Sequence, residues 1–234
     1  MNPDRFLNEY RIKTKISRLN PSTYKEFLNY PTATVSDAMR GRNTMSQDIK
    51  SVWSPVPHLV GSAVTVSASL GDELLILKAI EMAEPGDVIV VAGNAKPYTA
   101  YWGGIMSTMA KARGIKGLVT DGMIRDLSEC EQLQFPIWAT GVTPIGPKTD
   151  VPPGELNLPI SIGQVIVHPG DLVVADSDGV VVVPQHMLED ISKAVKARLK
   201  IEDEWIKEIH ATDQMILKDK IDDLLSKRTV TYLD

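Results

Sequence analysis

The chain has 234 residues, 43% of them hydrophobic, with a formal net charge of −5 and one cysteine. This length and apolar content suit one large domain, or one domain with an arm, and basic runs exceed no more than two or three residues, which excludes the usual footprint of a nucleic-acid binder. A single thiol, Cys130, excludes an intrachain disulfide framework and a thiolate zinc cluster, and no apolar run approaches the ~20 residues that cross a membrane.

The first 30 residues are polar, residues 1–15 lack the apolar stretch of a signal peptide, and the single cysteine makes a reduced cytosol the expected setting. Asn20-Pro21-Ser22 is a start signal for a short helix. Residues 34–39 read as a second capped helix, stopped at Gly41. From Val60 the pattern turns to strand, with Val64 and Val66 separated by small residues. Gly71-Asp72 then opens a helix whose apolar positions, Leu74, Leu75, Leu77, Ile80 and Ala83, follow helical spacing. Pro85-Gly86-Asp87 ends it and launches residues 88–91, a β-branched run of the kind found in strands buried on both faces.

The stretch WGGIMSTMAKARGIKGLVTDGMIRDLSEC runs from Trp102 to Cys130. Gly103-Gly104 precedes an apolar helix, residues 117–120 form a short strand, and Asp121-Gly122 ends it just before Arg125-Asp126 opens another helix. Residues 143–159 are rich in proline and glycine and read as an ordered surface loop. Pro169-Gly170-Asp171 leads into residues 172–175 much as Pro85-Gly86-Asp87 led into its strand, since Pro and Gly suit the same turn. Asp176-Ser177-Asp178-Gly179 before residues 180–183 reads as a hairpin with an Asp-Gly turn.

A long helix follows from Gln185 to about His210. Its apolar residues Leu188, Ile191, Val195, Leu199, Ile206 and Ile209 lie within about 80° of one another at ~3.6 residues per turn. The tail, residues 211–234, alternates charged and apolar positions and is expected to pack as an arm on the core or on a neighbouring subunit. The whole reads as mixed α/β: an N-terminal extension over 1–30, a core over 31–184, and a C-terminal helix with an oligomerisation arm over 185–234.

The residues suited to chemistry cluster around the two glycines. Gly103-Gly104 before a helix lets the backbone N–H groups of Ile105 and Met106 approach an anion; it also serves as a plain tight turn. Arg125 offers a planar fork for a carboxylate, and Asp126 is a hard oxygen ligand for Mg²⁺ or Mn²⁺; neighbours in sequence, they are expected to point apart. Glu129, three residues on, shares a helix face with Asp126, either to hold a metal and its waters or to partner Arg125. Asp121 ends a strand, where Asp-Gly turn chemistry is the simpler reading. Glu202 falls inside the apolar stripe of the long helix, about 40° from Leu188, and either snorkels or reaches a polar site, in a neighbouring subunit for example. The four histidines, His58, His168, His186 and His210, show no metal-ligand spacing. No Gly-x-Ser-x-Gly elbow, phosphate-binding loop or Gly-x-Gly-x-x-Gly occurs.

Gly104, twenty residues, Arg125-Asp126, two residues and Glu129 together resemble the signature of the class II pyruvate aldolases of the 4-hydroxy-4-methyl-2-oxoglutarate/4-carboxy-4-hydroxy-2-oxoadipate aldolase type, within the RraA-like superfamily. The resemblance extends roughly over residues 34–184. It implies an αββα sandwich assembled as trimers or hexamers, with sites between subunits. It implies that the backbone of Gly103, Gly104, Ile105 and Met106, with Arg125, grips the carboxylate and keto oxygen of a 2-keto acid. Asp126 would hold Mg²⁺ or Mn²⁺, and an acid from the adjacent subunit's C-terminal helix, matched best by Glu202, would complete the site. The implied reaction is retro-aldol cleavage to pyruvate, with oxaloacetate decarboxylation as a side or main activity. Glu129 favours this branch over the ribonuclease-regulating one, whose members bind a protein partner. Ile105 and Met106 depart from the more usual polar-Leu continuation.

Overall fold

The computed structural model describes residues 9–68, 72–93, 99–147, 151–212 and 218–232. In chain order the elements are β1 (Arg11–Ile12), α1 (Pro21–Tyr24), a 3₁₀ turn (Lys25–Asn29), α2 (Thr32–Ala38), β2 (Lys50–Ser51), β3 (Leu59–Ser67), α3 (Glu73–Met82), β4 (Asp87–Ala92), β5 (Ala100–Trp102) and α4 (Gly104–Ala112). Then come β6 (Gly117–Thr120), β7 (Met123–Ile124), α5 (Leu127–Gln132), β8 (Ile137–Ala139), β9 (Gly141–Val142), β10 (Glu155–Leu156), β11 (Ile160–Ile162), β12 (Val165–Val167), β13 (Leu172–Asp176) and β14 (Gly179–Val183). A 3₁₀ turn (Gln185–Met187), α6 (Leu188–Thr212) and α7 (Lys218–Ser226) complete the order.

The strands β3, β4, β6 and β8 run parallel, in that spatial order, and β13 adds antiparallel to β3 and carries β14 as a hairpin. Period-2 alternation sorts their side chains into layers. Ile89 and Val91 of β4, Leu118 of β6 and Ile137 of β8 pack under α3, α4 and α5. Their neighbours Val88, Val90, Val119 and Trp138 face Val173, Ala175, Val180 and Val182 of the hairpin. The hairpin's other face, Leu172, Val174, Val181 and Val183, packs against α2 and α6 through Val35, Leu188, Ile191 and Val195. Helices, two β layers and helices again make an αββα sandwich, as expected.

Several expected elements form with the expected caps. Asn20 Oδ1 accepts from Ser22 N at the start of α1, and Asp72 Oδ1 accepts from Leu74 N and Leu75 N at the start of α3. The two Pro-Gly-Asp segments are the same turn. Gly86 and Gly170 have φ of +99° and +89°, and the following aspartate accepts the N–H three residues back, Glu84 N to Asp87 at 2.8 Å and His168 N to Asp171 at 2.9 Å. Positive φ makes glycine the residue for that place.

Other expectations are corrected. The second helix begins at Thr32, not Thr34, because its cap comes from a distant residue: Asp176 Oδ2 accepts from Thr32 N at 2.9 Å. Residues 143–159 are more than surface loop, since β10 pairs with β1 and β3 and Leu156 is fully buried. The hairpin turns on Ser177 and Asp178, with Asp176 opposite Gly179 and Asp176 Oδ1 accepting from Asp178 N at 2.8 Å; Asp178-Gly179 is not its central pair. The start of the long helix is a 3₁₀ turn, and α6 itself begins at Leu188. Its stripe divides: Leu188, Ile191 and Val195 are buried, while Ile206 and Ile209 are exposed. Helix α7 buries no residue. Among the described residues, no helix is long and apolar enough to cross a membrane.

The N-terminal residues are tied to the sheet by one buried carboxylate. Asp87, at the start of β4, is 2% exposed and takes Arg18 Nε on both oxygens at 3.0 and 3.1 Å, with Arg18 Nη2 at 3.0 Å. Arg18→Ala would leave that charge buried with only a backbone donor. A buried pair broken on one side costs about 3–5 kcal/mol, and Arg18's partial exposure places the loss near the lower end. Urea unfolding of the variant should show a drop of roughly 3 kcal/mol; an unchanged midpoint would remove this pair from the account.

Candidate functional site

A small three-stranded sheet, β5-β7-β9, brings the two key loops together. β5 and β7 are parallel, and Arg125 N donates to Trp102 O at 2.9 Å. Each of these strands runs straight into a helix: β5 through Gly103 into α4, β7 through Arg125-Asp126 into α5. The amino ends of two helices therefore lie side by side, and the twenty residues between Gly104 and Arg125 are the rest of α4, β6, β7 and the turns between them. First-turn N–H groups such as those of Ile105 and Met106 have no intrahelical acceptor and carry the positive end of the helix dipole.

Asp126 joins the two ends. Its backbone is left-handed, φ 56° and ψ 43°, and it does not cap its own helix. Its side chain crosses instead to α4, where Oδ2 accepts from Gly104 N at 3.1 Å. The same turn brings Arg125 Nε to 3.5 Å from Asp126 Oδ2, so the expectation that these neighbours point apart is wrong. Extended backbone would separate them; the left-handed residue folds the carboxylate back. Aspartate tolerates that conformation better than most residues. The ion pair does not hold the turn in place: both side chains are more than a third exposed, and such a pair contributes at most about 1 kcal/mol, comparable to the backbone strain.

The glycines are explained by crowding. A Cβ on Gly103 would come within 2.6 Å of Asp126 Oδ2, and one on Gly104 would overlap Glu129 Oε2. Glu129, in the first turn of α5, thus lies over Gly104. Gly146 gives room on the other side, where a Cβ would meet Arg125 Nη1 at 2.8 Å. The structure therefore gathers Gly103, Gly104, Arg125, Asp126 and Glu129 at one place, with Ile105 beside them, 73% exposed, and Met106 turned into the core. Glu202 is not in this cluster within the chain. It lies on α6, where Oε1 accepts from Arg198 Nε at 2.6 Å. Among the described residues, no group of three or more His, Cys, Asp or Glu side chains converges as a ready metal cage.

Behind the cluster lies a polar network that the sequence alone did not single out. Ser107 Oγ donates to Gly103 O at 3.0 Å, receives Trp102 Nε1 at 2.7 Å and touches Cys130 Sγ at 3.3 Å. It fixes the turn into α4 from below. The available signal was a serine four residues after the glycine, the spacing at which a helical hydroxyl reaches a backbone carbonyl. Burial, above all, holds the Cys130 thiol above its ordinary pKa, which suits a packing role. Asp121 also acts structurally: its Oδ1 accepts from Gly93 N at 2.5 Å, and Tyr101 Oη donates to Gly93 O at 3.0 Å. Gly122 is needed because a Cβ there would overlap the Tyr101 ring.

A family model described as Aldolase/RraA, of the RraA-like kind, matches residues 32–182. The chain belongs to the RraA-like family. Its similarity to individual proteins is consistent with that. It is 38% identical over 192 residues to a Halalkalibacterium halodurans protein provisionally named a 4-hydroxy-4-methyl-2-oxoglutarate aldolase, covering 82% of this chain and 89% of that one. A crystal structure of a Pseudomonas syringae protein matches with a TM-score of 0.78 and 28% identity over 88% of this chain and 96% of the other. Streptomyces coelicolor RraAS2, described as an unusual member of the RNase ES inhibitor RraA family, matches with a TM-score of 0.71 and 27% identity, over 85% and 100%. These RraA-like structures share the fold described above.

Gly104→Ala tests the crowding. Its new Cβ overlaps the far end of a flexible glutamate and lies 3.1 Å from Glu129 Cβ, a contact that a shift of a few tenths of an ångström relieves, so the fold should survive with a melting temperature within a few degrees of the parent. The Glu129 carboxylate must move, so the activity proposed below should fall at least about tenfold. Retention of full activity would show that Glu129's position over α4 is unimportant.

Proposed function

We propose that this RraA-like chain is a metal-dependent lyase that cleaves a 4-hydroxy-2-keto di- or tricarboxylic acid to pyruvate and a second keto acid, and that decarboxylates oxaloacetate at the same site. One observation carries the reading: a cation, two carboxylates and a helix amino end meet where Asp126 Oδ2 accepts from Gly104 N. The aldolase name of the Halalkalibacterium halodurans relative supports it.

The donor set fits a hard divalent ion. Asp126 keeps one carboxylate oxygen, Oδ1, outside its contacts with Gly104 and Arg125. Mg²⁺ and Mn²⁺ are commonly held by one or two carboxylates with waters and substrate oxygens filling the rest, so a three-acid cage is not required. Asp126 would hold the ion, with Glu129 placed to hold its waters. When bound, the ion supplies Lewis-acid polarisation of the 2-keto oxygen.

The chain's own groups do the remainder. Arg125 binds the C1 carboxylate, helped by the free first-turn N–H groups of Ile105 and Met106, and so fixes the keto carbon against the acids. Glu129 accepts, through water, the proton of the C4 hydroxyl. The C3–C4 bond then breaks, its electron pair moving to C3 and the C2 oxygen as the pyruvate enolate, and C4 leaves as a carbonyl. Protonation at C3 gives pyruvate. Oxaloacetate loses CO₂ to the same enolate without the hydroxyl deprotonation. Which of the two is the principal activity is a matter of relative rates at one site.

The cluster is half open to solvent in a single chain, with the side chains of Arg125 and Asp126 38% and 36% exposed. Charge stabilisation of an enolate is strong only where water is excluded. A second subunit that covers the cluster would do this, and a homotrimer or homohexamer sharing sites between chains fits the need. Glu202, near the exposed half of α6, is the acid such a neighbour would present, exchanging Arg198 for the shared site.

A lactate-dehydrogenase-coupled assay checks the reading. Pyruvate should be released from 4-hydroxy-4-methyl-2-oxoglutarate and from oxaloacetate, stop with EDTA and return with excess Mg²⁺ or Mn²⁺. Arg125→Ala should lower kcat/KM by about 10² or more with the fold intact. Turnover that ignores EDTA would remove the metal, and a near-normal Arg125→Ala rate would remove the arginine.

A further inference from the structure

The parallel strands have two ends, and the cluster above occupies only one. β4 and β6 run toward Gly93 and Asp121 at the site side. Their other end opens onto a groove of about 820 Å³, in the size range of small-molecule sites. The groove is built from the residues that precede each strand: Pro57-His58 before β3, Pro85-Gly86 before β4, Ile115-Lys116 before β6 and Phe135-Pro136 before β8. A six-residue strand at ~3.3 Å per residue separates it from the cluster by about 20 Å.

Its chemistry is one-sided. The floor is apolar, with Leu59, Ile115 and Phe135 closed beneath it and Leu28 on the wall 49% exposed. The rim carries Lys25, Lys111 and Lys116, with His58 in the wall and no acidic residue among the lining groups. Three lysines with no acid stand out in a chain of net charge −5. Helix-end chemistry explains one of them, since Lys111 Nζ donates to Leu133 O just past the end of α5. Lys25 and Lys116 have no acidic partner among the described residues, and His58 Nε2 is buried without a hydrogen-bond partner. Unpaired lysines around an apolar floor form a complement to a molecule that is anionic at one end and apolar along its body.

We propose that this groove is a second binding site, distinct from the lyase cluster, for a small aromatic or branched carboxylate: the carboxylate at Lys25 and Lys116, the apolar body against the Leu28 wall and over the Leu59, Ile115 and Phe135 floor. Its place in the fold gives it a bearing on the first site. α4 and α5 both begin at the cluster and both end at the groove, so an occupant touches the far ends of the two helices that hold Gly104 and Asp126.

The test is calorimetric titration of the full chain with 1-naphthoate and its neutral isostere 1-naphthamide. Naphthoate should bind with a Kd below about 1 mM, at least tenfold more tightly than the amide, and more weakly as salt rises. Lys25→Ala/Lys116→Ala, at two exposed positions, should weaken naphthoate at least tenfold. Arg125→Ala should leave its affinity unchanged, which separates this site from the lyase reading. Equal binding of acid and amide, indifference to the lysine substitutions, or loss of binding in Arg125→Ala would overturn the proposal. So would a groove covered by a second copy of the chain, seen as no naphthoate binding together with a changed sedimentation coefficient in Lys25→Glu/Lys116→Glu.

Discussion

One hydrogen bond organises the site: Gly104 N to Asp126 Oδ2, across the amino ends of α4 and α5. It depends on a left-handed aspartate, on a glycine with no side chain in the way, and on the pairing of β5 with β7 that sets the two loops side by side. Together they bring Arg125, Asp126 and Glu129 to one place. The parallel strands beneath supply rigidity, with side chains buried in alternation on both faces. A loop conformation that costs about 1 kcal/mol is affordable only on a scaffold that overdetermines it.

Much of this was legible in the sequence because it is local. Apolar runs such as residues 88–91 and 172–175 mark strands, Asp72 and Asn20 mark helix starts, and the repeated Pro-Gly-Asp marks a turn that occurs twice with the same hydrogen bond. The errors came from partners far away in the chain. Asp176 moves the start of α2 by capping Thr32 from 144 residues off. β10 is two residues long and has no alternation of its own; it exists because β3 and β1 flank it. The Arg125–Asp126 contact is not legible for a backbone reason, since spacing rules assume ordinary φ and Asp126 has φ 56°. Ser107 is not legible because a serine inside an apolar helix reads as neutral without its acceptor, Gly103 O.

The distal half of α6 and all of α7 are the exposed helical parts of the described chain. Ile206 and Ile209 continue a stripe whose first half is buried, and are themselves exposed among the described residues. The site cluster is likewise half open. Both are what the proposed function requires of a site that a second chain would cover. RraA-like proteins carry descriptions as different as aldolase and ribonuclease inhibitor on one scaffold. In this chain the distinction rests on whether the Asp126 turn binds a metal and a keto acid.

That can be measured without turnover. Oxalate mimics the pyruvate enolate, and free Mn²⁺ has a solution EPR signal that is lost on binding. The native chain should bind Mn²⁺, and oxalate should tighten that binding severalfold. Asp126→Asn, which keeps the shape and the hydrogen bond from Gly104 but removes the charge, should abolish the Mn²⁺–oxalate complex while the fold persists. Equal Mn²⁺ binding in the native chain and the variant, with no response to oxalate, would contradict the account.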